Sequence, residues 1–226
     1  RRQRQMCIRD SPSTIGTSGI DDIYTWDQTI NPYGRDKLEE YKINTLSPRR
    51  YGGTLSWMAS GGVDEEQTDG IGASEAIKKL ENFSNTGENF FLAVGFFRPH
   101  TPFVAPKKYF DLYSKDDIVI PESSPDYLKT IPIPAAKSVR SKKNQINLEE
   151  DLAKEIKQAY YATISFVDAQ VGRIINKLKQ TGLDKNTIVV FTSDHGYHMG
   201  EHGHWQKQTL FNLSLIHISE PTRRTS

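Results

Sequence analysis

Two short apolar runs and one long amphipathic segment stand out in the hydrophobic pattern of the chain. The runs cover Asn89–Phe97 and Thr187–Phe191, and each is too short to cross a membrane but has the length of a buried strand. From Leu152 to Leu178, apolar residues recur every three or four positions, which predicts one long amphipathic helix. The pattern therefore predicts a strand, a helix and a second strand in this order.

Spacing and capping residues define the predicted helices. A further helix is predicted over Asp69–Asn82, where apolar residues recur at helical spacing and Asp69 serves as the N-cap. Asn147 and Glu150 resemble a capping box at the start of the long helix, and Gly182 ends it. Helices that alternate with buried strands predict an α/β fold, with a mostly parallel sheet flanked by helices.

The segments between these elements contain many prolines and glycines and little periodicity. We expect Pro12–Gly62 to be irregular, with one candidate strand at Gly53–Met58, and Arg98–Pro106 to interrupt the strand pattern. Ser114–Asn147 is a long excursion that contains several prolines. Excursions of this length inside a domain tend to form lids or substrate walls.

Polar side chains crowd the sequence after the second apolar run. Ser193–Lys207 reads SDHGYHMGEHGHWQK, and three glycines within eight residues exclude a stable helix there. Asp194 and His195 follow the predicted strand at once, where parallel sheets place their ligands, and carboxylate oxygen is a ligand that calcium or magnesium prefers. We predict that both bind a metal ion. The alternative is an aspartate that caps the loop and a histidine packed beneath it.

The other histidines of this loop leave a zinc site open as an alternative. His198 and His202 are four residues apart, which on a helix would place both on one face. The glycines oppose that helix, however, and no cysteine is near to complete such a site. We interpret His198, His202 and His204 as groups that surround the ligands, line the substrate rim or face solvent.

Two further side chains are candidates for binding an anionic substrate. Lys207 could hold an oxyanion as a point charge, although a lone lysine in a loop is commonly only solvated. His100 follows the first predicted strand directly, and parallel neighbouring strands would bring it to the same sheet edge as Asp194. An imidazole there could donate to an oxyanion or protonate a leaving group. Considered alone, His100 would be a structural histidine in a turn.

Both ends of the chain are predicted to be foreign to the protein. Residues 1–11, RRQRQMCIRDS, resemble one reading frame of a sequencing adapter, and residues 213–226, which contain LSLIHISEPTR, resemble the complementary adapter. The alternative for the first segment is a basic arm that binds nucleic acid or targets the chain. We therefore assign residues 12–212 to the protein itself, as part of one domain.

Composition narrows the function classes once the two ends are set aside. Acidic residues then slightly outnumber basic ones, so no strongly basic surface indicates nucleic-acid binding. No apolar run is long enough to span a membrane. The single cysteine, Cys7, lies in the first segment, so cysteine usage says nothing about the redox compartment.

Three motifs together resemble the sulfatase family, in particular its iduronate-2-sulfatase-like branch. They are FLAVGFFRPHTPFVAPKKYFDLY at Phe91–Tyr113, YYATISFVDAQVGRII at Tyr160–Ile175 and TIVVFTSDHGYHMGEHGHWQKQTLF at Thr187–Phe211. The resemblance implies an incomplete alkaline-phosphatase-like α/β fold and the cleavage of sulfate esters, on a sulfated sugar or uronic acid of a polysaccharide. It also implies one calcium ion and a secreted, periplasmic or lysosomal location. The oligomeric state stays open.

The resemblance assigns roles to individual residues. Asp194 and His195 match positions that bind the metal in the family. Lys207 matches a lysine that contacts the sulfate group, and His100 matches the histidine that faces the sulfate and the leaving oxygen. We expect His204 to contact the substrate as well. Cations and an imidazole in these places would stabilise the negative charge that grows on the bridging oxygen during cleavage.

Two parts of the family site have no match in this sequence. The family nucleophile is a formylglycine made from cysteine in a Cys-x-Pro/Ala-x-Arg motif, which does not occur here, and the paired aspartates that complete the calcium site have no credible match. We therefore expect residues 12–212 to be a partial sulfatase catalytic domain that is inactive alone. The alternatives are a phosphoester or phosphonate hydrolase of the same superfamily, a glycan-binding module without catalysis, and a zinc-binding structural protein.

Overall fold

The chain forms two compact units. A computed structural model describes the backbone of residues 4–8, and residues 25–47, 55–124, 126–141, 143–193, 195–205, 207 and 209. The first unit comprises Arg1–Asp117 and Gln158–Ile188, and the second comprises Ile118–Lys157 and Val189–Ser226.

The first unit contains two three-stranded sheets. Their strands are β1 (Arg4–Ile8), β2 (Gln28–Ile30), β3 (Asn44–Thr45), β4 (Ser56–Ser60), β5 (Phe90–Val94) and β6 (Phe103–Pro106). In one sheet β1 lies between β2 and β5 and is parallel to both. In the other, β4 lies between β3 and β6, antiparallel to β3 and parallel to β6. The pairing is therefore mostly parallel, and β5 confirms the strand predicted within Asn89–Phe97.

Two long helices confirm the helical periodicity of the sequence. The helices are α1 (Arg35–Leu38), α2 (Thr68–Thr86), α3 (Lys107–Phe110), α4 (Tyr127–Thr130), α5 (Ile133–Arg140) and α6 (Glu150–Gln180). Gly87 ends α2 in the left-handed conformation, with φ of 66°, and its N–H donates to the Phe83 carbonyl. Gly182, with φ of 72°, follows α6 in the same conformation. Glycine adopts this conformation without the strain that a side chain causes. Gly182 confirms the predicted stop, whereas α2 continues past its predicted end at Asn82 to Thr86.

The helix α2 packs against the sheet that contains β5. The Phe83 and Phe90 rings stack with centroids 4.6 Å apart. Around them, further apolar side chains from β2, β5 and α6 pack against the cluster, namely Ile30, Leu92, Val94 and Ile174. This packing holds the C-terminal part of α2 against β5.

Both predicted N-terminal helix caps are wrong. Asp69 is the second residue of α2, and its buried carboxylate accepts hydrogen bonds from the distant backbone N–H groups of Phe97 and Arg98. Asn147 lies three residues before α6 with a positive φ of 48°, and its N–H donates to the Gly203 carbonyl. In each case the polar group that would cap the helix forms a hydrogen bond with a residue far along the sequence instead.

The predicted strand over Thr187–Phe191 is also wrong. A short 3₁₀ turn at Leu183–Asn186 precedes this run, and its residues join neither of the two sheets. Ile188 is 91% exposed and Val190 81% exposed. A strand needs a neighbour for its backbone hydrogen bonds and a face on which to bury its side chains, and this run has neither in the described part of the chain.

The segments expected to be irregular contain short elements. Arg98–Pro102 is a turn, as expected, but the following Phe103–Pro106 is the buried strand β6, so the predicted interruption is too long. The candidate strand Gly53–Met58 overlaps β4, with residues 51–54 outside the described ranges. The excursion Ser114–Asn147 contains α4, α5 and two 3₁₀ turns.

The basic segment at the start of the chain takes part in a sheet. Arg4–Ile8 pairs with β5 along its whole length and with β2 over residues 6–8. Strand pairing uses backbone N–H and C=O groups, which every residue type except proline supplies in full. Pairing therefore does not test the foreign origin of residues 1–11, which stays a prediction. Residues 213–226 lie outside the described ranges. Among the described helices, none combines the length and the apolar composition that crossing a membrane requires.

Candidate functional site

His100 lies in the turn that follows β5. Its backbone N–H donates to the Phe97 carbonyl at 2.8 Å, and cis peptide bonds precede Pro99 and Pro102. The half-buried ring has Nδ1 2.5 Å from the Thr101 carbonyl oxygen. Because a carbonyl oxygen only accepts, Nδ1 carries a proton in this contact. If Nε2 also takes up a proton, the ring becomes a cation.

The glycine-rich loop of the second unit is held by backbone hydrogen bonds. The Gly200 N–H donates to the His204 carbonyl at 2.8 Å, and the Trp205 N–H donates to the Gln145 carbonyl at 3.1 Å. Among the described residues of the loop, the helical structure is limited to the 3₁₀ turn Glu201–Gly203. The absence of an α-helix in this described loop confirms the sequence prediction.

His195 and Lys207 are in contact within the second unit. His195 Nδ1 lies 2.9 Å from the Gly196 carbonyl oxygen, so Nδ1 carries the proton of the neutral ring. Lys207 Nζ lies 3.4 Å from Nε2 of the same ring. An ammonium group only donates, so Nε2 accepts from Lys207. The structure thus brings together two of the side chains that the sequence singles out.

A carboxylate of the same loop, Glu201, lies near His198. Glu201 Oε2 accepts from the Met199 N–H at 2.6 Å and lies 3.8 Å from His198 Nδ1. The His198 imidazole, and then the backbone N–H groups, lower the pKa of Glu201 to about 2 against the opposing effect of burial. Glu201 is therefore ionised at neutral pH and adds a fixed negative charge to the loop.

His204 is packed inside the second unit. Its side chain is fully buried, and its ring meets the Tyr127 and His198 rings edge to face. Burial, followed by the nearby His198 and His202, lowers the pKa of His204 to about 4. A neutral, buried ring supports the loop and does not face solvent. The structure shows this ring packed against Tyr127 and His198, and substrate contact by His204 stays a prediction.

The other predicted site residues cannot all be placed together. His100 belongs to the first unit, while His195 and Lys207 belong to the second. Asp194 lies outside the described residues. The convergence of His100 with the loop after position 193 therefore stays a prediction.

The described side chains do not by themselves form a calcium site. Within the described ranges, no group of three or more His, Cys, Asp or Glu side chains is placed to hold a metal ion. Nε2 of His195, the atom that would bind a cation, faces the Lys207 ammonium. Calcium also prefers oxygen ligands to imidazole nitrogen. Calcium binding with Asp194 stays a prediction, and no catalytic step below involves the ion.

Sequence reasoning missed the residues that hold the His100 turn. The sequence pattern predicts a helix cap at Asp69 and gives no role to Asp36 or Arg98. Asp69 binds the turn across 28 residues of sequence, and Asp36 binds Arg98 across 62. No local pattern reports contacts of this separation. The adjacency of Arg98 to the proline and histidine of the turn is the one signal that pointed to it.

Comparison with known proteins identifies the family. Residues 3–219 match the family model described as Sulfatase, which covers most of the chain and includes His100, His195 and Lys207. The chain belongs to the sulfatase family. The iduronate-2-sulfatase-like resemblance is confirmed by 32% identity over 215 residues to iduronate 2-sulfatase of Mus musculus, which covers 88% of this chain and 39% of that protein. A sulfatase of Formosa agariphila is 44% identical over 138 residues, which cover 58% of this chain and 27% of that protein.

Solved structures confirm the fold class. The phosphonate monoester hydrolase of Agrobacterium radiobacter superposes with a TM-score of 0.59 and 26% identity, over 69% of this chain and 32% of that one. The two small sheets and their helices therefore belong to an incomplete alkaline-phosphatase-like α/β fold, as predicted. This sulfatase chain spans less than half the length of each of these relatives.

Proposed function

We propose that this chain contains the sulfate-binding part of a sulfatase that hydrolyses sulfate esters on a sulfated sugar, in particular one with a uronic acid. The observation that carries the proposal is the contact of Lys207 with His195, in a loop within the range that matches the sulfatase family. The name of the relative iduronate 2-sulfatase supports a uronic acid as the sugar. Because the chain spans 39% of that relative, the activity of the whole protein is itself part of the proposal.

The proposed role of Lys207 follows from its charge. Hydrolysis breaks the bond between sulfur and the bridging oxygen, and water supplies an oxygen to sulfur and a proton to the alcohol that leaves. Negative charge grows on the sulfate and the bridging oxygen as this bond breaks. A lysine ammonium is a compact donor that stabilises such charge, most strongly where water is excluded.

The proposed role of His100 follows from its tautomer. Since Nδ1 donates to the Thr101 carbonyl, Nε2 can donate to the leaving oxygen only when the ring is protonated. A protonated His100 would act as a general acid and would regain its proton from water after the alcohol leaves. The joint action of His100 and Lys207 is inferred from the family resemblance of the two motifs.

The nucleophile and the location of the protein stay predictions. Cys7 is followed by Ile8 and Arg9 and does not fit the formylglycine motif. We therefore propose that the chain alone binds sulfate esters without turning them over. A secreted, periplasmic or lysosomal location is likewise proposed from the family.

A binding assay with phenyl sulfate tests this function. Titration calorimetry on the full chain and on Lys207→Ala should show an affinity lower by about tenfold to a hundredfold in the variant, since a hydrogen bond to a charged group contributes on the order of 1.5–3 kcal/mol. Lys137→Ala, which removes an exposed lysine on α5 of the same unit, should bind as the wild type does. Equal affinity in Lys207→Ala and Lys137→Ala would reject the role of Lys207.

A phosphonate or phosphate ester hydrolase is the second candidate. The similarity to the phosphonate monoester hydrolase of Agrobacterium radiobacter favours it. The same titration with the phenyl ester of methylphosphonate separates the two, because this monoester carries the same single charge as phenyl sulfate. Tighter binding of the phosphonate would favour the second candidate, and tighter binding of the sulfate would favour a sulfatase.

A further inference from the structure

We propose that Asp69 is a positioning residue for His100, and that Arg98 and Asp36 complete the buried ionic network through which it acts. The proposal rests on the proposed function, because His100 is the histidine assigned there to the leaving oxygen. Asp69, Arg98 and Asp36 are all buried, and they lie in the same unit as His100.

The two oxygens of Asp69 hold the first residues of the turn. Oδ1 accepts from the Phe97 N–H at 2.8 Å, and Oδ2 accepts from the Arg98 N–H at 3.0 Å. Phe97 in turn accepts the His100 N–H at its carbonyl oxygen, at 2.8 Å. A continuous path of hydrogen bonds therefore runs from the carboxylate through one peptide residue to the backbone of His100.

The side chain of Arg98 holds the other side of the turn. Its Nη2 donates to Asp36 Oδ2 at 2.7 Å, and its Nε donates to the Val104 carbonyl oxygen at 2.8 Å. Asp36 is itself fixed, because its Oδ1 accepts from both the N–H and the hydroxyl of Thr68. Arg98 thus ties the residues before and after His100 to α1 and to the start of α2.

The network specifies a carboxylate at position 69. Both of its oxygens accept from backbone donors, whereas an asparagine side chain has one oxygen and could serve only one of them. Burial raises the pKa of Asp69 to about 6, against the effect of the nearby Arg98 guanidinium. The carboxylate is therefore ionised above this pH and provides two charged acceptors in a buried place, where such hydrogen bonds are strong.

The ring of His100 reports on this arrangement. Its Nδ1 contacts the carbonyl of Thr101, inside the turn that Asp69 and Arg98 hold. If the turn relaxes, this contact is lost and the proton redistributes between the two ring nitrogens. The tautomer of His100 is therefore a readout of positioning that a uniform loss of stability leaves unchanged.

The ¹⁵N NMR spectrum of the histidine rings tests the proposal. The full chain is labelled with ¹⁵N-histidine, and the His100 signals are assigned with His100→Gln. At pH 8, where ordinary imidazole rings are neutral, we expect the wild type to show His100 with the proton on Nδ1. Asp69→Asn should give a mixture of both tautomers. Phenyl sulfate affinity should fall on the order of tenfold, as for other residues that orient a functional group.

Asp64→Asn is the matched control. Asp64 is a buried aspartate of the same unit, bound to Tyr109 and Gln170, and the same substitution also places an amide at a buried carboxylate position. This variant should lose stability but keep the wild-type tautomer of His100. An unchanged His100 spectrum in Asp69→Asn, or an equal change in Asp64→Asn, would overturn the proposal.

One further variant and two outcomes for the wild type keep the test decisive. If Asp69→Asn does not fold, Asp36→Asn removes only the anchor of Arg98, and it should shift the tautomer in the same direction. If the wild type shows the expected tautomer but does not bind phenyl sulfate, the proposed function fails while the positioning by Asp69 stands. If His100 of the wild type carries its proton on Nε2, the proposed positioning by Asp69 is rejected, whether or not phenyl sulfate binds.

Discussion

At the scale of single residues, burial opposes ionisation at two positions. Burial raises the pKa of the Asp69 carboxyl to about 6, and it lowers the pKa of the His204 imidazole to about 4. Asp69 keeps its charge at neutral pH, with Arg98 beside it and two backbone donors on its oxygens. His204 loses its charge, because its closest titratable neighbours include His198 and His202.

The neutral state of His204 makes the stability of the protein depend on pH. The unfolded chain takes up a proton at this residue near the ordinary imidazole pKa of about 6.5, whereas the folded chain does so only near pH 4. The free energy of unfolding therefore keeps its full value above about pH 6.5 and decreases as the pH falls towards 4. The size of this loss is up to about 3 kcal/mol.

Replacement by a ring of similar size isolates this effect. The variant His204→Phe lacks the titrating group. Between pH 7.5 and pH 4.5, the free energy of unfolding of the wild type should therefore fall by about 2–3 kcal/mol more than that of the variant. Urea unfolding of both proteins at the two pH values measures the difference. A difference that is the same at both values would show that His204 is not held neutral by the fold.

At the scale of elements, local periodicity predicted helices better than strands. The long helix α6 and the helix α2 follow from apolar spacing, because a helix makes its hydrogen bonds within itself. The run Thr187–Phe191 has the composition of a strand, yet its apolar side chains lie exposed. A strand depends on a partner elsewhere in the chain, and composition does not report whether that partner is in place.

The exposed run should cause the chain to associate with itself. Thr187–Phe191 is β-prone, uncharged and free of proline, which is the signature of an aggregation-prone segment. Val190→Lys places a charge in the run and should shift the chain towards monomer without lowering its melting temperature. Sedimentation velocity at several protein concentrations measures the change.

A second exposed valine provides the control for this prediction. Val119 is 79% exposed and Val190 81% exposed, so both substitutions place a lysine on an accessible surface. Val119→Lys should leave the self-association of the wild type intact. If both variants reduce association equally, net charge rather than the run is responsible.

The candidate site divides in the same way between local and distant contacts. His195 and Lys207 are twelve residues apart in one glycine-rich segment, and the motif was enough to predict that both belong to one loop. The support of His100 by Asp69 was not predictable, because the two carboxylate contacts join residues 28 and 29 positions apart. Asp69 also fits a helix N-cap by its residue type, so the local pattern favoured the wrong partner.

At the scale of the whole molecule, the family is established more firmly than the complete site. The family match extends over residues 3–219, whereas the chain spans 39% of the mouse relative and 27% of the Formosa relative. His100 lies in one compact unit and the pair His195–Lys207 in the other. We therefore propose that this chain recognises a sulfate ester and that turnover requires a nucleophile that its sequence does not contain.

Recognition of the sulfate group on a sugar is the most direct test of this account. The full chain is titrated by calorimetry with a sulfated disaccharide that contains uronic acid, and with the same disaccharide after its sulfate has been removed. We expect binding of the sulfated form alone, weakened by Lys207→Ala. Equal affinity for the two sugars would indicate a glycan-binding module that does not recognise sulfate, and no binding of either would contradict the proposed function.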